Sequence, residues 1–133
     1  MDIFGVGSDA IEVERIKNAI EKLPRFLKRI YTEKEINYCE TKKINRFQSY
    51  ASRFAGKEAV AKSVHQGLGK FLFFNEIEIL DNEYGYPYVV VYGISHLYLL
   101  TNNIADIKIT LSSARSFCIA YAISLIKKGG NKK

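Results

Sequence analysis

The chain is short of cysteine and proline and has no long apolar run. Its two cysteines, Cys39 and Cys118, lie far apart, with no CxxC pair and no histidine at ligand spacing. That pattern argues against a structural zinc site and fits two bystander thiols in a reducing cytoplasm. No stretch approaches the roughly eighteen consecutive apolar residues of a membrane-spanning helix. The opening Met1-Asp2-Ile3-Phe4-Gly5-Val6 lacks a basic leader and a long apolar region, so it does not read as a signal peptide. Internal repeats and linkers are missing too. The spacing of a P-loop or a dinucleotide-binding turn is also absent: Gly67-Leu68-Gly69 follows a predicted helix instead of opening one, and reads as a helix stop.

What is present describes one domain. The 133 residues are 47% hydrophobic and 26% charged, enough for a single core. A formal net charge of +6 favours an acidic partner, whether nucleic acid, a phosphate-rich cofactor or an acidic protein. Part of that excess lies in the tail at 127–133, which is expected to fray, leaving residues 1–126 as the folded domain.

Ile3 to Val6 predicts a short buried strand, broken by Gly7-Ser8-Asp9. A helix follows with Val13, Ile16, Ile20 and Leu23 on one side, ended by Pro24. Asp9 is then expected at a strand-to-helix turn. There it serves either as an N-cap or as a carboxylate at a strand end, within reach of a metal or phosphate. Arg25 to Tyr31 interleaves basic and apolar residues. Thr32-Glu33-Lys34-Glu35 has the spacing of a capping box, so a helix is predicted from Glu33 to about Cys39 or Thr41. A long helix is predicted from Arg46 to His65, with Phe47, Tyr50, Ala51, Phe54 and Ala55 on its apolar face. Asn75 to Leu80 and Tyr88 to Tyr92 predict a hairpin around the turn-rich 81–87. Ser95 is placed as the cap of a helix reaching about Asn102. Ile107 to Ser112 alternates, and the almost wholly apolar Phe117 to Ile123 predicts a central strand. The fold class expected is α+β: one domain, a mainly antiparallel sheet packed against a long helix and shorter helices.

Inside the long helix, Arg53-Phe54-Ala55-Gly56-Lys57-Glu58-Ala59-Val60-Ala61-Lys62 is free of proline and rich in helix formers. Glu58 and Lys62 are four apart and share a face, with His65 on the same stripe one turn on. Spacing alone leaves two readings. One is a solvated, ion-paired helix face; the other is a row of groups that acts on a substrate.

Taken together, five stretches carry a family likeness, the last of them the closing strand pair of Ile107 to Ile123. Gly5-Val6-Gly7-Ser8-Asp9-Ala10-Ile11-Glu12-Val13-Glu14-Arg15-Ile16, then Arg25-Phe26-Leu27-Lys28-Arg29-Ile30-Tyr31-Thr32-Glu33-Lys34-Glu35, the Arg53 to Lys62 segment, and the strand, turn and G-x-P of Asn75 to Pro87 stand in order. They resemble the bacterial holo-[acyl-carrier-protein] synthases, small 4′-phosphopantetheinyl transferases, from residue 2 to about 126. The resemblance implies the 4′-phosphopantetheinyl transferase fold. It implies transfer of phosphopantetheine from coenzyme A to a serine of apo-acyl carrier protein, with release of 3′,5′-ADP, in cytoplasmic fatty acid biosynthesis. Such a reaction depends on positioning and on neutralising phosphate charge, and Mg²⁺ suits it because it binds through one or two carboxylates plus substrate phosphates.

On that likeness Asp9 and Glu58 are the expected metal ligands, and Glu58 and Lys62 the catalytic pair. Arg46, Arg53, Lys62, Gly67, Gly85, Pro87 and Lys108 are expected to bind coenzyme A, and Arg15, Arg25 and Phe26 to dock the acidic carrier. The family also implies a homotrimer with the cofactor between subunits, and neither a nucleic-acid nor a membrane partner. Nine Tyr and eight Phe fit an interface or simply an aromatic-rich core. Three positions depart from the family: His65 where Gly is frequent, Tyr86 where Lys is, and Lys108 where His is. The competing reading is a non-enzymatic basic module that binds carrier protein or nucleic acid. A broad-range transferase is disfavoured, because those resemble two copies of this domain in one chain.

Overall fold

Strand β1 (Asp2–Glu12) runs straight through Gly7-Ser8-Asp9, where the sequence predicts a break. A computed structural model describes residues 1–127; residues 128–133, most of the predicted basic tail, lie outside the described part. The reason β1 continues is its partner. Strand β5 (Phe117–Ile126) pairs with it along its whole length, Gly7 opposite Ala122 and Asp9 opposite Ala120. Helix α1 (Val13–Lys22) begins only after Glu12, and its N-cap makes no side-chain hydrogen bond. Asp9 is therefore neither an N-cap nor at a strand-to-helix turn: it lies within β1, before the strand ends at Glu12, which corrects the placement on which both expectations rested.

Strand β4 (Ile104–Ser113) pairs antiparallel with the other side of β5, giving the order β1-β5-β4 with β5 central as predicted. Strands β2 (Ile77–Asp81) and β3 (Pro87–Val91) form the expected hairpin, as a separate two-stranded sheet. Between the two sheets lies α4 (Arg46–Ser63), with α1 and α3 (Glu33–Glu40) packed on it and α2 (Phe26–Ile30) reaching it through Phe26. This is a single α+β domain with antiparallel sheets on one long helix.

Small residues on the inner face of β1 and β5 let α4 lie directly on the sheet. A Cβ at Gly7 would overlap the Ala59 carbonyl oxygen, and one at Gly5 would overlap that of Ser63. Ala120, Ala122 and Ser124 of β5 are buried beside them. The two glycines of the opening motif thus serve close helix–strand approach.

The capping box forms as predicted: Thr32 Oγ1 accepts from the Glu35 amide at 3.2 Å and Glu35 Oε1 from the Thr32 amide at 2.9 Å. Two other caps differ from expectation. Helix α4 stops with His65, not a glycine, in the left-handed region at φ 60°. The Gln66 amide reaches the Ala61 carbonyl and the His65 amide that of Lys62, the paired bonds of a Schellman end. His65 consequently leaves the Glu58–Lys62 stripe and turns its ring onto Phe4, 5.1 Å between centroids. Helix α5 (Gly93–Thr101) starts two residues before Ser95. Ser95 is buried inside it, its hydroxyl donating to Glu76 Oε1 and accepting from the Phe73 amide.

Candidate active site

Burial along α4 selects three side chains. From Tyr50 to Ser63 every residue is buried except Phe54, Glu58 and Lys62. They are four apart, so they form one stripe along the helix edge, while the sheet, the hairpin and α3 cover the rest. Asp9 shares the inward face of β1 with Gly7 and the buried Ile11, which points its carboxylate at the same edge of α4.

There the Lys62 ammonium lies 3.2 Å from Asp9 Oδ1 and donates to the Ser8 carbonyl at 3.0 Å. Partial burial, reinforced by repulsion from Asp9, pushes the Glu58 carboxyl above the usual glutamate range, and Lys62 only partly offsets this. Two carboxylates against one ammonium leave an excess of negative charge in a small space. That donor set fits a hard divalent cation held by two protein oxygens, with the remaining ligands from water and phosphate. Among the described residues no group of three or more His, Cys, Asp and Glu side chains is placed to hold a metal alone.

Phe54 extends the stripe away from Lys62. It stacks on Phe74, 5.1 Å between centroids, and on Phe26 of α2, 6.3 Å away. Phe26, with Arg25 next to it in the chain, therefore neighbours Phe54, the residue one helical turn before Glu58. Arg25, Phe26 and Arg29 line an open depression with Leu23 and Pro24. Arg15 is exposed on α1.

The other predicted residues are dispersed. Arg46 opens α4, about 24 Å along the helix from Lys62, where it stacks on Phe47 and pairs with Glu40 at 3.8 Å. Arg53 is buried and faces Asp81, 3.4 Å away. Gly67 lies exposed beyond the end of α4. Gly85, at φ 87°, sits in the turn between β2 and β3, and Pro87 opens β3 opposite Asp81. Lys108 pairs with Asp106 at 3.2 Å. In register it faces Ile123 and Val6, on the side of the sheet opposite Asp9. One chain thus brings Asp9, Glu58 and Lys62 together and leaves Arg46 and Lys108 far from them.

Several structurally important partners are missed by the sequence reading. Lys57, within the same ten-residue segment as Lys62, is wholly buried against Glu35 at 2.7 Å. Helical phase is the signal that distinguishes them, because Lys57 falls off the 54/58/62 stripe. Tyr38 and Asp81, which meet at 2.7 Å, belong to different elements, and no periodic pattern links them.

The 4′-phosphopantetheinyl transferase superfamily model matches residues 5–122. A holo-[acyl-carrier-protein] synthase of Ruminiclostridium cellulolyticum is 45% identical over 119 residues, 89% of each chain. The crystal structure of the Neisseria meningitidis synthase superposes with a TM-score of 0.84 at 25% identity, covering 92% of this chain and 98% of that one. The Bacillus anthracis synthase, in complex with CoA (3′,5′-ADP), gives a TM-score of 0.79 at 29% identity, covering 96% of this chain and 100% of that one.

Proposed function

The chain belongs to the 4′-phosphopantetheinyl transferase superfamily, among the holo-[acyl-carrier-protein] synthases that place phosphopantetheine on acyl carrier protein, and from that premise we propose how its own residues do so. The observation that carries the proposal is the meeting of Asp9 from β1 with Glu58 and Lys62 from α4 at one exposed edge. Asp9 and Glu58 would hold Mg²⁺. When bound, the ion neutralises charge on the pyrophosphate of coenzyme A. The serine oxygen of the carrier forms a bond to the phosphorus that bears pantetheine, and the bond from that phosphorus to the bridging oxygen breaks, releasing 3′,5′-ADP. Glu58, directly or through a water, takes the serine proton. Lys62 faces the pyrophosphate as a cation and stabilises the leaving phosphate.

Coenzyme A is held by Lys62, Arg46, Gly67, Gly85, Pro87 and Lys108, with Arg53 behind the hairpin turn. Lys108 stands on the far face of the sheet from Asp9, so closing one pocket from this set takes a second copy of the chain. The outer sheet face supports that reading: Val6 is 65% exposed, Tyr121 56%, Phe117 42% and Ile123 39%. A contiguous apolar patch of this kind marks an interface. We assign it to a homotrimer with the site between subunits, in cytoplasmic fatty acid biosynthesis. Sedimentation equilibrium of the purified chain is expected to return three times 15.2 kDa; a monomer across micromolar concentrations overturns the shared site.

Arg25, Phe26 and Arg15 dock the acidic carrier. Arg25→Ala is expected to raise KM for carrier protein about fivefold with kcat unchanged, since a rim charge acts mainly on encounter. A fall in kcat at constant carrier KM contradicts the docking role. The activity itself is tested by the intact mass of apo-acyl carrier protein incubated with this protein, coenzyme A and Mg²⁺. A gain of one phosphopantetheine that EDTA blocks is expected. No gain with folded protein overturns the reaction, and a gain indifferent to EDTA overturns the metal site.

A further inference from the structure

The base of the β2–β3 hairpin is clamped by Tyr38 and Asp81, which the proposed chemistry does not use, together with Arg53. Asp81, the last residue of β2, accepts the Tyr38 hydroxyl at Oδ2, 2.7 Å, and faces the Arg53 guanidinium at Oδ1, 3.4 Å. The guanidinium also stacks on the Tyr38 ring at 4.4 Å, and Lys42 reaches the same ring at 4.8 Å. The Arg53 side chain is 5% exposed, and its Nε and Nη2 make no hydrogen bond. Helices α3 and α4 and strand β2 therefore meet at one carboxylate.

The turn that follows is rigid within itself. Asn82 Oδ1 accepts from the Tyr84 amide at 2.8 Å and the Tyr86 amide at 3.0 Å. The Asn82 amide donates to the Tyr86 carbonyl at 2.8 Å, and Gly85 takes the left-handed φ of 87° that the turn requires. A unit stiff in this way has its position set by where its base is held. The base is held by Asp81.

We propose that Tyr38 is a positioning residue for coenzyme A: through Asp81 it fixes where the Gly85-Tyr86-Pro87 turn stands, and Arg53 acts from beneath through the same carboxylate. This rests on the reading that the turn walls the coenzyme A site. An error of about 1 Å in a substrate-positioning element is costly to catalysis, so the clamp is expected to act on coenzyme A and not on the carrier.

Tyr38→Phe keeps the ring that Arg53 and Lys42 stack on and deletes only the hydroxyl. A lost hydrogen bond to a charged group predicts a KM for coenzyme A raised about tenfold, with kcat and KM for carrier protein unchanged. Asp81→Ala is unsuited, because it strands a buried guanidinium and threatens the fold. Pro87→Gly, which loosens the turn directly, is the companion variant. A raised coenzyme A KM in both variants supports the inference. A rise in Pro87→Gly alone overturns the role of Tyr38 while keeping the turn in the site. No rise in either removes the turn from the site and overturns both readings. A lowered melting temperature in Tyr38→Phe with all three kinetic constants unchanged makes the clamp structural only, and also overturns it.

Discussion

Glu58→Gln is expected to lose transfer activity and, in EDTA, to gain stability. The variant keeps the volume of the side chain and removes its charge, so both the proposed metal ligand and the proposed base are lost. Each such function is worth roughly 10²–10³-fold or more in rate, and turnover is expected to fall by at least about 10³-fold. The stability change has the opposite sign. Glu58 is held above the usual glutamate range by burial and then by Asp9, so the folded protein binds that proton more tightly than the unfolded chain does. Stability is therefore lost as pH rises through the folded pKa, and the loss is absent below the ordinary glutamate value. At neutral pH without metal the wild type carries this penalty and Glu58→Gln does not. Thermal melts in EDTA are expected to show a higher midpoint for Glu58→Gln at pH 7 and no advantage near pH 4. Asp9→Asn relieves the same repulsion and is expected to lose transfer similarly. A Glu58→Gln protein that melts lower at pH 7 in EDTA contradicts the electrostatic picture. One that still turns over normally contradicts the assignment of roles.

Element types and order were legible because they rest on local pattern. The Thr32–Glu35 box is written within four residues, and the alternation of Ile107, Ile109 and Leu111 reads directly as a strand. Misreadings arose where a long-range partner decides. Gly7-Ser8-Asp9 reads as a break, but ten paired residues of β5 hold it extended, and α4 requires its glycines. Gly67 and Gly69 read as the helix stop, but the helix ends at His65, which takes the left-handed conformation and lays its ring on Phe4. Ser95 reads as a cap, but Glu76 and Phe73, about twenty residues away, take up its hydroxyl. The Glu58–Lys62 pairing followed from helical spacing, whereas the approach of Asp9 to Lys62 depends on the β1–β5 register and on α4 lying close over Gly5 and Gly7.

Lys57→Met is expected to be the most destabilising single change outside the site. The Lys57 ammonium is wholly buried and donates to Glu35 Oε1 at 2.7 Å, to the Phe74 carbonyl at 2.8 Å and to the Ile77 carbonyl. Glu35 Oε2 accepts the Ile79 amide at 2.7 Å, so the pair ties α3, α4 and the start of β2 to one point. Burial pushes the Lys57 ammonium down from its ordinary pKa and Glu35 pushes it back up, which shows how far its charge depends on that carboxylate. Methionine retains the length and most of the volume, leaving little cavity term. It removes the cation that balances the buried Glu35 charge, leaving that carboxylate only its amide donors, and takes one donor each from the Phe74 and Ile77 carbonyls. Removing one partner of a buried pair costs about 3–5 kcal/mol, a large share of the roughly 5–15 kcal/mol that holds a domain together. Lys62→Met, one stripe away and exposed, is expected to cost under about 1 kcal/mol while impairing transfer. Urea denaturation of the two variants separates the roles of these lysines. Similar midpoints would mean that the buried pair contributes no more than a surface one and does not hold the hairpin to the helix.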